Sequence, residues 1–200
     1  AVILNYNDWA YLKFYIDSKS LAYLKENLNK KDLDVLTRQL FYRSIYDMTR
    51  DATLSCTEYV DIVAGLLQHE KNDEIISTTM RVVSGIIAYY MPHKYYSTYA
   101  SRMFDLSLKL IVQDLSNKEI VKNLLELAIV FANTEEHMET LKQWLTSIKI
   151  NGTEVDSSLL TQDNRFSIVA LIHRSRKISL EEKTSLLESE VTRDKNSDRS

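Results

Sequence analysis

An all-α protein is what this sequence predicts, and three observations predict it. The 200 residues contain one Pro and three Gly, too few breakers to punctuate a fold made of many short strands. Apolar residues recur at helical spacing along most of the chain. Residues with short polar side chains stand just ahead of those apolar runs, where a helix needs an acceptor for its free N–H groups. With 44% apolar and 26% charged residues, the chain has the composition of a packed globular protein.

Residues 1–17 are the exception. Val2-Ile3-Leu4, the turn-prone Asn5-Tyr6-Asn7-Asp8 and then Tyr11-Leu12-Lys13-Phe14-Tyr15-Ile16 read as strand–turn–strand. Two strands are too few for an independent sheet, so this segment is expected to be the end of a preceding β-rich domain.

The period turns helical at Ser18. Ser18 or Ser20 can cap a helix running to about Leu28, and Asp32 or Asp34 opens the next, with Leu33, Leu36, Leu40, Ile45 and Met48 on one face. Ser55-x-x-Glu58 is a capping box ahead of the stripe Tyr59, Ile62, Val63, Leu66 and Leu67. A helix over Asp73–Tyr90 is stopped by Met91-Pro92. Further helices are predicted over His93–Leu115, Lys118–Ala132 and Thr134–Ile148, then a turn at Asn151-Gly152. Short helices over Asp163–His173 and Leu180–Arg193 complete the pattern, the last capped by Ser179-x-x-Glu182. Amphipathic helices joined by short connections pack as antiparallel pairs. Stacked pairs give an α-solenoid of the HEAT or armadillo kind over residues 18–200, and a closed bundle is the competing arrangement.

Several function classes are excluded or left without support. Net charge is −3 with both signs dispersed, so no basic run marks a nucleic-acid surface. The apolar stretches, such as Val82–Tyr90, are far shorter than a bilayer requires. The lone Cys56 rules out an internal disulfide and suits a reducing compartment, hence a cytoplasmic expectation. Asn151-Gly152-Thr153 has the form of a glycosylation sequon, but as a turn it has a sufficient structural reason to be there. The first residues carry no leader-like pattern, and the start is expected to lie inside a longer polypeptide.

Chemistry is sparse. His69, His93, His137 and His173 include no i, i+4 pair of the kind that grips zinc. His69-Glu70 begins like H-E-x-x-H but continues Lys71-Asn72-Asp73, leaving His69 as a helix-terminal residue. No phosphate-binding loop or nucleophile elbow is present, and no nucleophile, base and orienting group can be assembled. Two features could serve binding. Arg43, Asp47 and Arg50, with Arg38 nearby, share one helical face and form either a carboxylate-binding strip facing a cavity or a salt-bridged solvent face. Tyr89, Tyr90, Tyr95, Tyr96 and Tyr99 bracket Pro92 and either line a peptide-binding surface or seal a helix corner.

Taken in order, several segments resemble the C-terminal helical domain of zinc aminopeptidases of the aminopeptidase N and puromycin-sensitive type. Asn7-Asp8-Trp9-Ala10-Tyr11-Leu12-Lys13-Phe14-Tyr15-Ile16-Asp17 is similar to that family's passage from β-sandwich to helical domain. Ala10, Lys13 and Ile16 stand where the family has Gly, Arg and Tyr. The run from Leu36 through Ser55 resembles its first long helix and exit, and Leu66-Leu67-Gln68-His69-Glu70-Lys71-Asn72-Asp73 its Leu-x-x-Glu-x-Asp. Thr161 to Val169, and Glu188-x-Glu190-x-x-Arg193-Asp194, resemble later elements. The resemblance covers nearly the whole chain, yet the family's H-E-x-x-H and Gly-x-Met-Glu-Asn motifs are absent from it.

The resemblance therefore implies a non-catalytic domain that covers the active-site cavity of a zinc-dependent aminopeptidase and helps select peptides. No catalytic, cofactor or metal residue is assigned in this chain; zinc would belong to the parent enzyme. The expected partners are the catalytic and β-sandwich domains of the same polypeptide and peptide substrates, with Arg38, Arg43, Asp47, Arg50, Tyr95 and Tyr96 as cavity candidates. The chain's end at Asp198-Arg199-Ser200 is expected to be a truncation of that domain. The rival is a helical-repeat adaptor that binds a partner peptide or helix.

Overall fold

The computed structural model describes residues 1–29 and 33–194, and of Tyr6 the backbone only. Among them are nine α-helices: α1 (Ser18–Asn27), α2 (Val35–Arg50), α3 (Cys56–Leu67), α4 (Asp73–Tyr89), α5 (His93–Gln113), α6 (Lys118–Phe131), α7 (Glu135–Trp144), α8 (Gln162–His173) and α9 (Leu180–Arg193). Two short strands, β1 (Ile148–Ile150) and β2 (Thr153–Val155), lie between α7 and α8. The fold is all-α with one small β element.

Local chemistry explains where the helices start. Asp17, Asp34, Ser55, Asn72, Asn117, Thr134, Thr161 and Ser179 are each an N-cap whose side-chain oxygen accepts a first-turn N–H. Such caps are each worth about 1 kcal/mol. Asp34 opens α2 as expected, and its alternative Asp32 lies outside the described residues, as does the expected truncation point at 198–200. For α1 the cap is Asp17, while Ser20 supplies the N–H it accepts, at 3.0 Å. Carboxylates accept this bond more strongly than hydroxyls do. In the Ser55 box, Ser55 Oγ accepts the Glu58 N–H at 3.1 Å, while the Glu58 carboxylate accepts from Lys25 at 2.5 Å.

The expected strands at residues 1–17 do not pair. The turn is there, a 3-10 turn at Tyr6–Asp8 following Asn5 in the left-handed region at φ 58°, which Asn tolerates. Asn5 holds it through bonds to Asp8 at 2.8 Å and to both backbone groups of Ala10 at 2.9 Å. The flanking segments are instead laced onto helices. Val2 N donates to Ser20 Oγ at 2.8 Å, and Ser44 Oγ donates to the Phe14 carbonyl at 2.7 Å. A strand exists by its ladder, and here side chains take the backbone groups one by one.

The strands form where the sequence suggested only a turn. Ile148 faces Val155 and Ile150 faces Thr153 in antiparallel register, so the loop is the two residues Asn151 and Gly152, at φ 51° and 81°. Two positive φ values in a two-residue loop are what Asn-Gly supplies best. Ile148, Ile150 and Val155 turn inward, which ends α7 at Trp144 rather than carrying it to Ile148.

The chain separates into two compact units, Ala1–Tyr99 and Ala100–Ser200, dividing within α5. In the first, α3 packs on α1, α2 and α4, and Leu28, Phe41, Ile45, Val63, Leu67 and Met80 are fully buried. In the second, α8 packs on α6, α7 and α9 around Met103, Ile111, Leu125, Leu141 and Ile168. Each such side chain stabilises its unit by about 1.5–3 kcal/mol through removal from water.

Candidate functional site

The first unit carries the groups that could meet a ligand, and α2 positions them. Its inner face buries Phe41, Ile45 and Met48. Residues three and four apart share one side of a helix, so Arg43, Tyr46, Asp47 and Arg50 stand together on a second side of α2, with Asp47 mostly buried at its edge. Two hollows adjoin them. One, of about 300 Å³, lies between α2 and α4, lined by Leu36, Leu40, Tyr42, Tyr59, Ile75 and Val82 among others. The second, about 390 Å³, is a basin bounded by Tyr11, Leu12, Lys13, Arg43, Tyr46, Asp47 and Arg50. Arg43 and Tyr46 border both.

The electrostatics of the basin are uneven. Lys13 Nζ contacts both oxygens of Asp51, at 3.0 and 3.1 Å, and Tyr15 Oη donates to Asp51 at 2.7 Å. The Tyr15 hydrogen bond, with that of Lys13, holds the Asp51 carboxyl below its ordinary value, and the same carboxylate raises the Tyr15 phenol. Arg43 has a long contact with Asp8, 3.8 Å. Arg50 lies over the Tyr46 ring, 5.6 Å from its centroid, a cation–π placement. Asp47 is 8% exposed, and among the described residues no hydrogen bond or ion pair reaches its carboxylate. The i, i+4 pair of Arg43 and Asp47 that helical spacing allows is not closed. Beneath the neighbouring hollow, burial raises the phenol pKa of Tyr42 and Tyr59 above the ordinary range.

Arg38 has a different task. Its guanidinium meets Glu70 with two parallel bonds of 3.0 Å and donates to the Leu33 carbonyl at 2.5 Å. Glu70 in turn accepts the N–H groups of Lys71 and Asn72 at 2.9 and 3.0 Å. This bidentate pair fastens α2 to the α3–α4 connection, so Arg38 holds the fold while Arg43, Asp47 and Arg50 share the basin.

The tyrosines around Pro92 stay near the surface. Tyr89 is 86% exposed, and Tyr90 and Tyr95 are also exposed. Tyr95 meets Tyr99 edge-on at 6.5 Å between centroids, with Lys94 4.7 Å from the Tyr95 ring centre. Tyr99 Oη donates to Asp61 at 3.3 Å, tying α5 to α3. Tyr96 is half-buried, and neither Tyr95 nor Tyr96 lines the two hollows. Tyr11, Lys13 and Tyr46 complete the basin, and sequence reasoning missed them. The i, i+3 relation of Tyr46 to Arg43 was a usable signal; the approach of residues 11–13 was not.

The histidines do not converge. Among the described residues no group of three or more His, Cys, Asp or Glu side chains is placed to hold a metal, so a zinc ion does not fit here. His69 and His93 are exposed. In the second unit His137 stacks on Phe104, 4.0 Å between ring centres at 11°, and its Nδ1 accepts the Asn133 N–H at 3.3 Å. Burial lowers its pKa below the ordinary 6.5, against the opposing pull of Asp105 and Glu136. The folded unit then binds this proton at lower pH than the unfolded chain does. Above pH 6.5 both are neutral. As pH falls below 6.5 the unfolded chain protonates first, so stability is lost until the folded imidazole also protonates. His137→Gln should flatten this part of the thermal-midpoint profile; an unchanged acid slope would assign it to other groups.

Packed α-helices with one small hairpin define an all-α domain. The chain belongs to the family of the ERAP1-like C-terminal domain, whose model matches residues 1–199. Aminopeptidase N of Streptomyces lividans is 33% identical over 89 residues, which is 44% of this chain and 10% of that protein. The match thus spans about a tenth of the relative's length. No solved structure matches the chain. Among the described residues no helix is long and apolar enough to cross a membrane.

Proposed function

We propose that this chain is the non-catalytic C-terminal domain of a zinc-dependent aminopeptidase, where it covers the active-site cavity and helps select peptide substrates. The observation that carries the reading is family membership across residues 1–199, joined by similarity to an aminopeptidase N. Its helices would stack as HEAT- or armadillo-like pairs within each unit, and the catalytic zinc and its ligands would lie upstream in the same polypeptide. Exposed Val2, Leu4, Trp9 and Tyr11 suit a segment that continues into a neighbouring domain, since apolar groups gathered at one place mark contact surfaces. A cytoplasmic setting fits the free thiol of Cys56.

The parent enzyme provides the test. Reversing charge at Arg43 and Arg50 should change kcat/KM by several-fold between short and long peptides, while an aminoacyl chromogenic substrate is turned over as before. Equal effects on all substrates, or none, would remove peptide selection from this wall. An upstream sequence without H-E-x-x-H would end the aminopeptidase reading, and further helical repeats there would favour the adaptor.

A further inference from the structure

The basin beside α2 holds two charges of opposite sign, Asp47 and Arg50. Among the described residues neither forms a close salt bridge, although Arg50 lies near enough to Asp51 to act on its carboxylate. Asp47 is more than nine-tenths buried, lines the basin and also the small hollow beside Phe14 and Ser44, and is not sealed from solvent. One helical turn further on, Arg50 lies over the Tyr46 ring, 5.6 Å from its centroid. Side chains three apart on a helix stand about 5–6 Å from each other at Cβ, close enough to pair directly, yet these two do not. Arg43, one turn on the other side of Asp47, is engaged only at 3.8 Å.

The charge balance narrows the ligand. The lining supplies three cations, Lys13, Arg43 and Arg50, and one carboxylate, Asp47, while Asp51 and Asp8, outside the lining, engage Lys13 at 3.0 Å and Arg43 at 3.8 Å. With Lys13 and Arg43 facing those outer carboxylates, Asp47 and Arg50 remain as separated opposite charges, which favour a molecule carrying both. A buried carboxylate with no partner is costly, and a ligand ammonium relieves that cost. A guanidinium accepts a carboxylate in bidentate geometry. Tyr11, Leu12 and Tyr46 give the remaining wall an apolar and aromatic character, and the volume of about 390 Å³ is within the range of small-molecule sites.

We propose that this basin binds a free α-amino acid with an apolar side chain. Its ammonium meets Asp47, its carboxylate meets Arg43 and Arg50, and its side chain lies against Tyr11 and Tyr46. The site depends on residues of this chain alone. An aminopeptidase would release ligands of this class, but the binding does not require that reading to hold.

Titration calorimetry on the whole chain with L-phenylalanine, N-acetyl-L-phenylalanine and L-phenylalaninamide tests it. L-Phenylalanine should bind saturably. Acetylation removes the ammonium and amidation the carboxylate, and each should weaken binding about tenfold or more, as expected when a charged hydrogen-bonding group loses its partner. Asp47→Asn and Arg50→Gln should do the same to the unblocked amino acid. No saturable binding of L-phenylalanine up to about 10 mM, a ceiling that already admits very weak complexes, would overturn the proposal. So would equal binding of the two blocked analogues and the free amino acid. Those analogues are tested on the unaltered chain, so the outcome is decisive even where a variant fails to fold.

Discussion

Replacing Arg165 by alanine should destabilise the second unit by about 3–5 kcal/mol, the cost of leaving one member of a buried pair alone. Arg165 and Glu190 are 5% and 2% exposed. The guanidinium donates to Glu190 at 2.7 and 2.5 Å and to the Leu145 carbonyl at 2.8 Å, while Gln162 adds a bond to Glu190 at 3.2 Å. Glu190 is also the buried residue of α9, whose Leu180, Leu187 and Val191 stay exposed. The ion pair is therefore the buried fastening of that helix, beside the more exposed bonds of Lys142 to Glu182 at 3.0 Å and of Lys183 to the Ser175 carbonyl at 2.6 Å. Its loss should release α9 before the rest of the unit. Urea unfolding and amide exchange over residues 180–193 measure this. A loss below about 1 kcal/mol, typical of exposed pairs, would show that α9 is held in some other way.

The pair also predicts its own rescue and its own pH response. Arg165→Met combined with Glu190→Leu should recover most of the loss, because well-packed apolar residues commonly replace buried ion pairs without penalty. Burial pushes the Glu190 carboxyl up, but the bonds from Arg165 and Gln162 outweigh it, and the pKa falls below its ordinary 4.5. A carboxyl lowered on folding stabilises fully above its unfolded pKa, and that stabilisation is lost as pH falls through the folded value. The gap between the wild type and Arg165→Ala should accordingly narrow in acid, below pH 4.5. A gap that widens there would mean that folding raises the Glu190 carboxyl instead of lowering it.

Trp144→Ala should cost about 3–5 kcal/mol, the range for removing a large aromatic from a packed core. Trp144 is 1% exposed, and it ends α7 where the chain turns into β1. Trp144→Phe should cost markedly less. It keeps most of the ring and removes an indole N–H that is buried without a hydrogen-bond partner, a group whose burial is itself unfavourable. The other tryptophan, Trp9, is 84% exposed. Trp144→Phe should therefore leave a native emission spectrum typical of a water-exposed indole, and the blue-shifted component should vanish. Its persistence would place Trp144 somewhere other than the core.

The class of fold and most helix boundaries were legible because they depend on a few consecutive residues. Asp34, Ser55 and Ser179 cap their helices through an N–H three residues on, a relation visible in the sequence. Tyr59, Ile62, Val63, Leu66 and Leu67 are all buried, as a 3.6-residue period demands. Sequence patterns misled where a short motif fitted two outcomes. Alternation in Ile148-Lys149-Ile150 and Thr153-Glu154-Val155 is a hairpin signal on either side of Asn-Gly, but it lay at the end of a helical run with no breaker to stop it. Conversely, residues 1–17 show strand-like composition, and composition cannot supply a pairing partner.

Local order of residues was enough to specify an all-α chain, the placement of its caps and breakers, and the sharing of one helical side by Arg43, Asp47 and Arg50, since each follows from backbone geometry within a few residues. Which charges serve the fold was left to long-range packing. Arg38 meets Glu70 across 32 positions and Arg165 meets Glu190 across 25, while Asp47 is enclosed and left without a partner. Coulomb energy depends on distance and on the dielectric around each charge, and both are set by contacts among residues far apart in the chain.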